Sequence, residues 1–422
     1  MPWSVSPCCA ERPPAGRPHA AASPARCAQV RSYTYTSPAD TVLESLFLHR
    51  FWSFLVHTCC PKWVAPNLLT AVGFAHAIAA YVLLLTHSPG LDGEAPSWVY
   101  FACAAMLFVY QTMDGMDGKQ ARRVRAGSPL GEVVDHGADA IAGCAYGLFI
   151  CEAFGITWGG AGLGLGRAPA VFIIAYSRVS FLIDSVTATY TGRLPVAPVD
   201  AQELQMAVQG ALLWNATFGP GLWRGLVDVA PLTRAFGLGG SDRWLIPVGV
   251  LVVGWGSVVG LCARVATVAA ALRGPPSPHL PEYASTGPAP LYLRMVAYEA
   301  VLTCCVAACH NLPVCHAVTT IAFGDAMVRL MHLRVSDPRF APLASPWLGA
   351  LAVASALLPE GGEGGAWGDA ALSAPAVATV GVGLVAAGVV AYVLLFSSLV
   401  AQITGCLNLP RNPFVISREK YA

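Results

Sequence analysis

The chain has 422 residues, of which 55% are hydrophobic and only 12% are charged, and its formal net charge is +1. Soluble globular domains carry about 25% charged residues, so this composition excludes an ordinary soluble domain and predicts a polytopic membrane protein. The small net charge also excludes a general nucleic-acid-binding protein, because such proteins carry a clustered basic surface. The expected fold class is all-α, with the lipid bilayer as its surroundings.

Two segments precede the first long apolar stretch. Residues 1–32 are rich in Pro, Ala and Arg with a single acidic residue, Glu11. This composition predicts a disordered tail, although an Arg-rich, acid-poor segment also fits an organellar transit peptide. In residues 33–62, Leu43, Phe47 and Phe51 recur at helical spacing among polar residues, which predicts an amphipathic helix lying in the membrane interface.

Apolar stretches of about 20 residues, long enough to cross a bilayer as helices, then recur to near the C-terminus. They predict about ten transmembrane helices, at 67–87, 97–115, 130–153, 168–190, 201–219, 244–270, 289–309, 313–333, 343–358 and 374–403. The predicted regions are the tail 1–32, the interfacial helix 33–62, a catalytic membrane core 63–219, C-terminal transmembrane helices 220–405 and a cytosolic tail 406–422.

Lys and Arg indicate the orientation, because cytosolic loops are enriched in them. They cluster before the first span and in the loop after the second, whereas the loops at 88–96 and 359–373 have none. Both termini and the basic loop are therefore expected in the cytosol, and an even number of spans agrees. The loop at 220–243 is the exception, since it is placed on the far side despite three arginines.

Four aspartates form two pairs around the basic loop: Asp114 with Asp117, and Asp135 with Asp139. Residues three or four apart lie on one face of a helix, and a short connection makes neighbouring helices pack side by side. All four carboxylates are therefore expected to converge. Each would cost about 2.5–3.5 kcal/mol at the bilayer centre, so a divalent cation is the expected compensation.

The residue types around the aspartates fit phosphate chemistry. Carboxylate oxygens suit Mg²⁺, Mn²⁺ or Ca²⁺, and four of them could hold two ions. Arg122, Arg123 and Arg125 are suited to bidentate phosphate contacts, and small residues such as Gly118 leave room for a substrate. Together these features predict a pyrophosphate site, whereas the carboxylates alone also fit a cation transporter.

The spacing DxxDGxxAR, eight residues, GxxxDxxxD is complete in this chain, which thereby resembles the CDP-alcohol phosphatidyltransferase family. The flanking DGKQARR, SPLGEVVDHGAD, WVAPNLLTAVGF and GRLPVAPVDAQELQ resemble its eukaryotic choline/ethanolamine phosphotransferase branch, over about residues 33–205. Gly115 and Met116 depart from the Ala-Ile expected there. The fixed positions are Asp114, Asp117, Gly118, Ala121, Arg122, Gly131, Asp135 and Asp139.

The resemblance implies transfer of phosphocholine or phosphoethanolamine from CDP-choline or CDP-ethanolamine to 1,2-diacylglycerol, releasing CMP. It implies two Mg²⁺ or Mn²⁺ ions on the four aspartates. It also implies a homodimer in the endoplasmic reticulum or Golgi membrane with a cytosol-facing active site, and leaves a plastid open. A sibling enzyme with another acceptor alcohol is the alternative within the family, and the preferred head group stays open.

The resemblance also assigns roles to further residues. His136 is the candidate base for the attacking hydroxyl, since imidazole titrates near neutrality; a packing histidine is the alternative. Glu203 would orient His136 or receive its proton, or else complement the N-terminus of a helix. The expected substrate-binding residues are Asn67, Gly118, Ala121, Arg122 and Gly131.

Other charged residues within the apolar stretches receive structural interpretations. Asp325 and Arg329 are spaced i, i+4 and are expected to pair with each other. Glu299 and Arg178 have no partner that the sequence identifies.

Overall fold

The computed structural model describes residues 27, 30–31, 40–159, 166–229, 245–274, 287–335, 345–358, 374–407 and 414. The predicted tails at 1–32 and 406–422 lie outside the described residues except at six positions, which are 27, 30, 31, 406, 407 and 414. The predicted loop at 359–373 lies wholly outside them. The regional division of the chain stays a prediction.

Helices make up most of the described chain. A π-helical turn at Glu44–Leu48 leads into α1, and a single two-stranded antiparallel sheet is present in the described residues. The helices are α1 (His49–Thr58), α2 (Pro66–His87), α3 (Ser97–Arg123), α4 (Pro129–Ala153), α5 (Ala168–Thr191), α6 (Ala201–Phe218), α7 (Gly221–Arg224), α8 (Val248–Leu272), α9 (Ala289–Ala308), α10 (Leu312–Val335), α11 (Pro346–Ala356) and α12 (Ala374–Leu407). The strands are β1 (Leu226–Asp228) and β2 (Leu245–Pro247), with Val227 opposite Ile246.

Six of the described helices are long and apolar enough to cross a membrane: α2, α5, α8, α9, α10 and the greater part of α12. The all-α membrane class is therefore supported, but the count of about ten spans is not confirmed. The other four predicted spans coincide with α3, α4, α6 and α11, which do not meet this criterion of length and hydropathy. The helix α3 ends in charged residues, and α11 has 11 residues, which span only about 16 Å at 1.5 Å per residue.

The predicted interfacial segment contains a helix, α1, whose two faces differ. Trp52 and Val56 are buried, whereas Phe47 and Phe54 are more than half exposed. The amphipathic character of this segment and its position at a membrane surface stay predictions.

The packing order brings the ends of α3 and α4 together. The helix α3 packs against α2 and α6, and α4 packs against α5 and α10. Between α3 and α4, Arg125 adopts the left-handed backbone conformation (φ 52°) that ends the first helix. Ser128 caps the second by accepting a hydrogen bond from the Gly131 N–H at 3.3 Å, which is the usual way to satisfy a free helix N-terminus. The chain therefore reverses within a few residues.

One close approach explains a departure from the family pattern. The Trp52 ring of α1 lies against the backbone of α3 at Gly115, and a methyl group at this position would overlap ring carbons. Gly115 thus lets α1 pack tightly on α3, and both residues line the same cavity.

Replacing Gly115 with Ala is expected to destabilise the protein, because the added methyl group forces the buried Trp52 ring to move. Overpacking of this kind costs about 1–3 kcal/mol, which outweighs the roughly 1 kcal/mol that Ala gains over Gly in a helix. Thermal unfolding in detergent would measure the change. Gly210→Ala in α6 is the control, since open space surrounds this glycine; equal melting temperatures for the two variants would contradict the packing argument.

Candidate active site

The four predicted aspartates line one cavity of about 980 Å³. Asp114 and Asp117 come from the end of α3, and Asp135 and Asp139 come from the first turns of α4. One carboxylate oxygen each of Asp114, Asp135 and Asp139 lies within 4.8 Å of the other two. The convergence expected from the spacing is therefore present.

Hydroxyl groups from α2 and α3 orient two of the carboxylates. The Thr70 hydroxyl donates a short hydrogen bond to Asp117, and the Tyr110 hydroxyl donates to Asp139 at 2.7 Å. Both donors contact motif carboxylates, as do the groups that orient metal ligands in proteins. The sequence analysis missed both, because Thr70 is far from the motif in the chain and Tyr110 precedes it.

The cluster fits a hard divalent cation. Its donors are carboxylate oxygens, which Mg²⁺ and Mn²⁺ prefer. One of them, Oδ1 of Asp135, is buried and has no hydrogen-bond partner within the described part of the chain. Buried polar atoms are seldom left unpaired, so this oxygen is available as a ligand.

Basic side chains line the same cavity at the end of α3. Arg122 and Arg125 both line it, as does Lys119, whose Nζ lies 2.9 Å from Nδ1 of His49. Arg123 is different, because its guanidinium donates to the Cys60 carbonyl at 2.7 Å and so fastens α3 to the end of α1. Of the three arginines considered for phosphate contacts, two reach the cavity and one is structural.

The other predicted substrate-binding residues also lie along the cavity wall. Asn67 at the start of α2 faces Gly131, where a Cβ would lie 3.5 Å from its side-chain oxygen. Gly118 and Ala121 lie on the face of α3 that borders the cavity. Small side chains at these positions keep the helix surface close to any molecule bound there.

His136 lies in the cavity wall and is 6% exposed. Its Nδ1 lies 3.1 Å from the carbonyl oxygen of Glu132, one turn earlier in α4. Because a carbonyl only accepts hydrogen bonds, Nδ1 is the donor in this contact, which leaves the lone pair of a neutral imidazole on Nε2. This tautomer is the one that a general base needs.

Glu203 does not line the cavity within the described chain. Its Oε2 accepts the N–H of Asp200 at 3.0 Å and its Oε1 accepts the N–H of Leu43 at 2.8 Å. With Asp200 it forms a capping box at the start of α6. These contacts favour the helix-terminus interpretation of Glu203 over the proton-receiving one.

A second group that the sequence analysis missed lies beside α6. Burial raises the pKa of Asp200, and Arg264 of α8 donates to its Oδ1 at 2.8 Å. Arg264 also pairs with Asp184 of α5. Asp184 and Asp200 both line the cavity, so a residue 150 positions beyond the first aspartate supports its wall.

Comparison with known proteins places this geometry in a family. The profile of the CDP-alcohol phosphatidyltransferase family matches residues 63–255. That range contains all four aspartates.

Residues 63–255 form a CDP-alcohol phosphatidyltransferase domain.

Named relatives agree with this assignment. The chain is 43% identical over 130 residues to choline/ethanolaminephosphotransferase 1 of Arabidopsis thaliana, which covers 31% of this chain and 32% of that protein. It is 33% identical over 216 residues to cholinephosphotransferase 1 of Gallus gallus, covering 51% and 61%. It is 32% identical over 194 residues to uncharacterized CDP-alcohol phosphatidyltransferase class-I family protein 2 of Dictyostelium discoideum, covering 46% and 45%. The chain thus spans about half the length of the relatives it matches, and α9 to α12 lie beyond the domain.

Removing the hydroxyl donors of this CDP-alcohol phosphatidyltransferase domain is expected to weaken metal binding. Thr70→Val and Tyr110→Phe each remove a hydrogen bond that orients a carboxylate. Loss of a hydrogen bond to a metal ligand typically lowers metal affinity by about 10- to 100-fold. The Mn²⁺ concentration that gives half of the maximal rise in melting temperature would measure the effect on purified protein.

Tyr298→Phe is the matched control, because this buried hydroxyl donates to the Ala322 carbonyl at 3.2 Å and is absent from the cavity wall. Mn²⁺ midpoints equal to wild type in both test variants would rule out an orienting role.

Proposed function

We propose that the protein transfers phosphocholine or phosphoethanolamine from CDP-choline or CDP-ethanolamine to the free hydroxyl of 1,2-diacylglycerol. The products are CMP and phosphatidylcholine or phosphatidylethanolamine. One observation carries the proposal: the complete set of motif aspartates lines a single cavity together with Arg122 and His136. The names of the plant and bird relatives supply the donor class.

The proposed reaction is a single displacement at phosphorus. The diacylglycerol oxygen forms a bond to the phosphorus that carries the head group, and the bond from that phosphorus to the bridging oxygen breaks. The electron pair of the broken bond leaves with CMP. His136 accepts the hydroxyl proton at Nε2, which keeps its lone pair because Nδ1 donates to the Glu132 carbonyl.

The chain supplies binding and charge around this step. Asp114, Asp117, Asp135 and Asp139 would hold the two Mg²⁺ or Mn²⁺ ions, which when bound neutralise the pyrophosphate and stabilise the leaving group. Arg122 binds phosphate oxygens through its planar guanidinium. Gly118, Ala121, Gly131 and Asn67 shape the wall against which the nucleotide lies.

The proposal includes a location. Diacylglycerol resides in the bilayer and the CDP-alcohol in water, so the cavity would open to the cytosol beside the membrane of the endoplasmic reticulum or Golgi. A homodimer in that membrane is part of the same proposal. The experiment below does not depend on either.

The decisive assay uses purified protein in lipid nanodiscs with diacylglycerol, Mg²⁺ and either labelled CDP-choline or labelled CDP-ethanolamine. Formation of labelled phospholipid with equimolar CMP is expected, and a chelator should abolish it. His136→Ala is expected to lower kcat by about 100- to 10,000-fold, the usual contribution of a general base, while nucleotide binding is kept.

Asp139→Asn should abolish turnover, whereas Glu94→Gln, an exposed carboxylate outside the cavity, should leave it unchanged. If no labelled phospholipid forms with either CDP-choline or CDP-ethanolamine, the proposal is wrong. If another alcohol accepts the phosphoryl group in place of diacylglycerol, the sibling activity is correct, and Mn²⁺ flux into liposomes without CMP release would identify a transporter.

A further inference from the structure

A buried ion pair connects the motif to a helix outside the matched domain. Glu132 lies in the first turn of α4, and Arg334 lies in the last turn of α10. Nη1 of Arg334 lies 2.9 Å from Oε1 of Glu132, and the two side chains are only 4% and 3% exposed. Removing one partner of such a pair leaves an uncompensated buried charge, which is strongly unfavourable.

Glu132 also has a second contact, on its backbone. Its carbonyl oxygen is the acceptor for Nδ1 of His136, so the residue that Arg334 holds is the one that orients the candidate base. Glu132 is among the residues that line the cavity. Loss of Arg334 would remove this ion pair from the residue whose carbonyl accepts the His136 hydrogen bond.

Arg334 contacts a second part of the cavity wall. Its Nη2 lies 3.5 Å from the carbonyl oxygen of Gly192, which ends α5 in the left-handed conformation at φ 75°. The segment that follows includes Leu194 and Val196, which line the cavity. One guanidinium therefore contacts two parts of the cavity wall, as its planar fork of donors permits.

Arg329, one turn earlier in α10, provides a contrast. It pairs with Asp325 on the same helix at 2.8 Å, as the i, i+4 spacing predicts. Neither residue lines the cavity. The same helix thus carries one arginine whose ion pair is internal and one whose ion pair reaches the site.

We propose that Arg334 is a positioning residue, which holds Glu132 so that its carbonyl fixes the tautomer and orientation of His136. The proposal rests on the function proposed above. It makes the C-terminal helices part of the active site's support, although the matched domain ends at residue 255.

The kinetic test compares Arg334→Ala and Arg334→Lys with Arg329→Ala. Arg334→Ala is expected to lower kcat at least about tenfold, because displacement of a catalytic group by 1 Å can cost about 100-fold, while KM for the CDP-alcohol changes less than about threefold. Arg334→Lys keeps the positive charge but lacks the planar guanidinium group, so a smaller decrease in kcat is expected. This variant provides the test if Arg334→Ala does not fold. Arg329→Ala should leave kcat within about twofold.

A double-mutant cycle separates positioning from general damage. In a His136→Ala background, the Arg334 substitutions should cost less than about twofold further, because there is no imidazole left to orient. The same fold loss in both backgrounds would overturn the proposal.

A measurement without turnover keeps the two proposals distinguishable. In protein labelled with ¹⁵N-histidine, the His136 signals are assigned by their disappearance in His136→Gln. They should shift in Arg334→Lys or Arg334→Ala and stay in place in Arg329→Ala. Unshifted signals in the Arg334 variants would refute the positioning role. If the signals shift in these variants but the wild-type protein releases no CMP in the assay, only the proposed function is refuted.

Discussion

Mutual repulsion among half-buried carboxylates is the constraint around which the described structure is built. Three ligand oxygens lie within 4.8 Å of one another, and at that separation two unit charges repel by about 3.5 kcal/mol at an effective dielectric constant of about 20. The fold opposes this repulsion by packing α3 and α4 into neighbours on several sides and by aiming the hydroxyls of Thr70 and Tyr110 at the cluster. A site held this way is prepared for cations before they bind, so little reorganisation accompanies binding.

Arginine ion pairs join α4 and α5 to helices that follow them in the chain. Buried ion pairs add little net stability, because each charge is costly to remove from water. Each pair joins elements that the sequence separates by many residues, and two of the three reach residues of the cavity wall. The C-terminal helices therefore act on the site through charge as well as by apolar packing. The pairs are Arg178 with Glu299, Arg264 with Asp184 and Asp200, and Arg334 with Glu132.

Local periodicity was enough to predict the aspartate cluster and the Asp325–Arg329 pair, because both depend on helical spacing and short connections. It could not identify the partner of Arg178, which is Glu299, 121 positions away, nor the hydroxyl donors to the aspartates, since tertiary packing decides these contacts. The count of about ten spans stays unconfirmed for a related reason. Hydropathy marks an apolar stretch as a span, but the length and the terminal charges of the resulting helix decide whether it can cross a bilayer.

The case of Glu203 shows the difference between a matched residue and a known role. The resemblance marks this position, but its two oxygens accept backbone N–H groups of Asp200 and Leu43. A carboxylate in that arrangement is stabilised in its charged form and is a poor proton acceptor, since protonation would weaken both hydrogen bonds. Through these two hydrogen bonds, Glu203 connects the start of α6 to the segment before α1. Because Thr41 and Glu44 of that segment line the cavity, a helix cap outside the cavity still determines its shape.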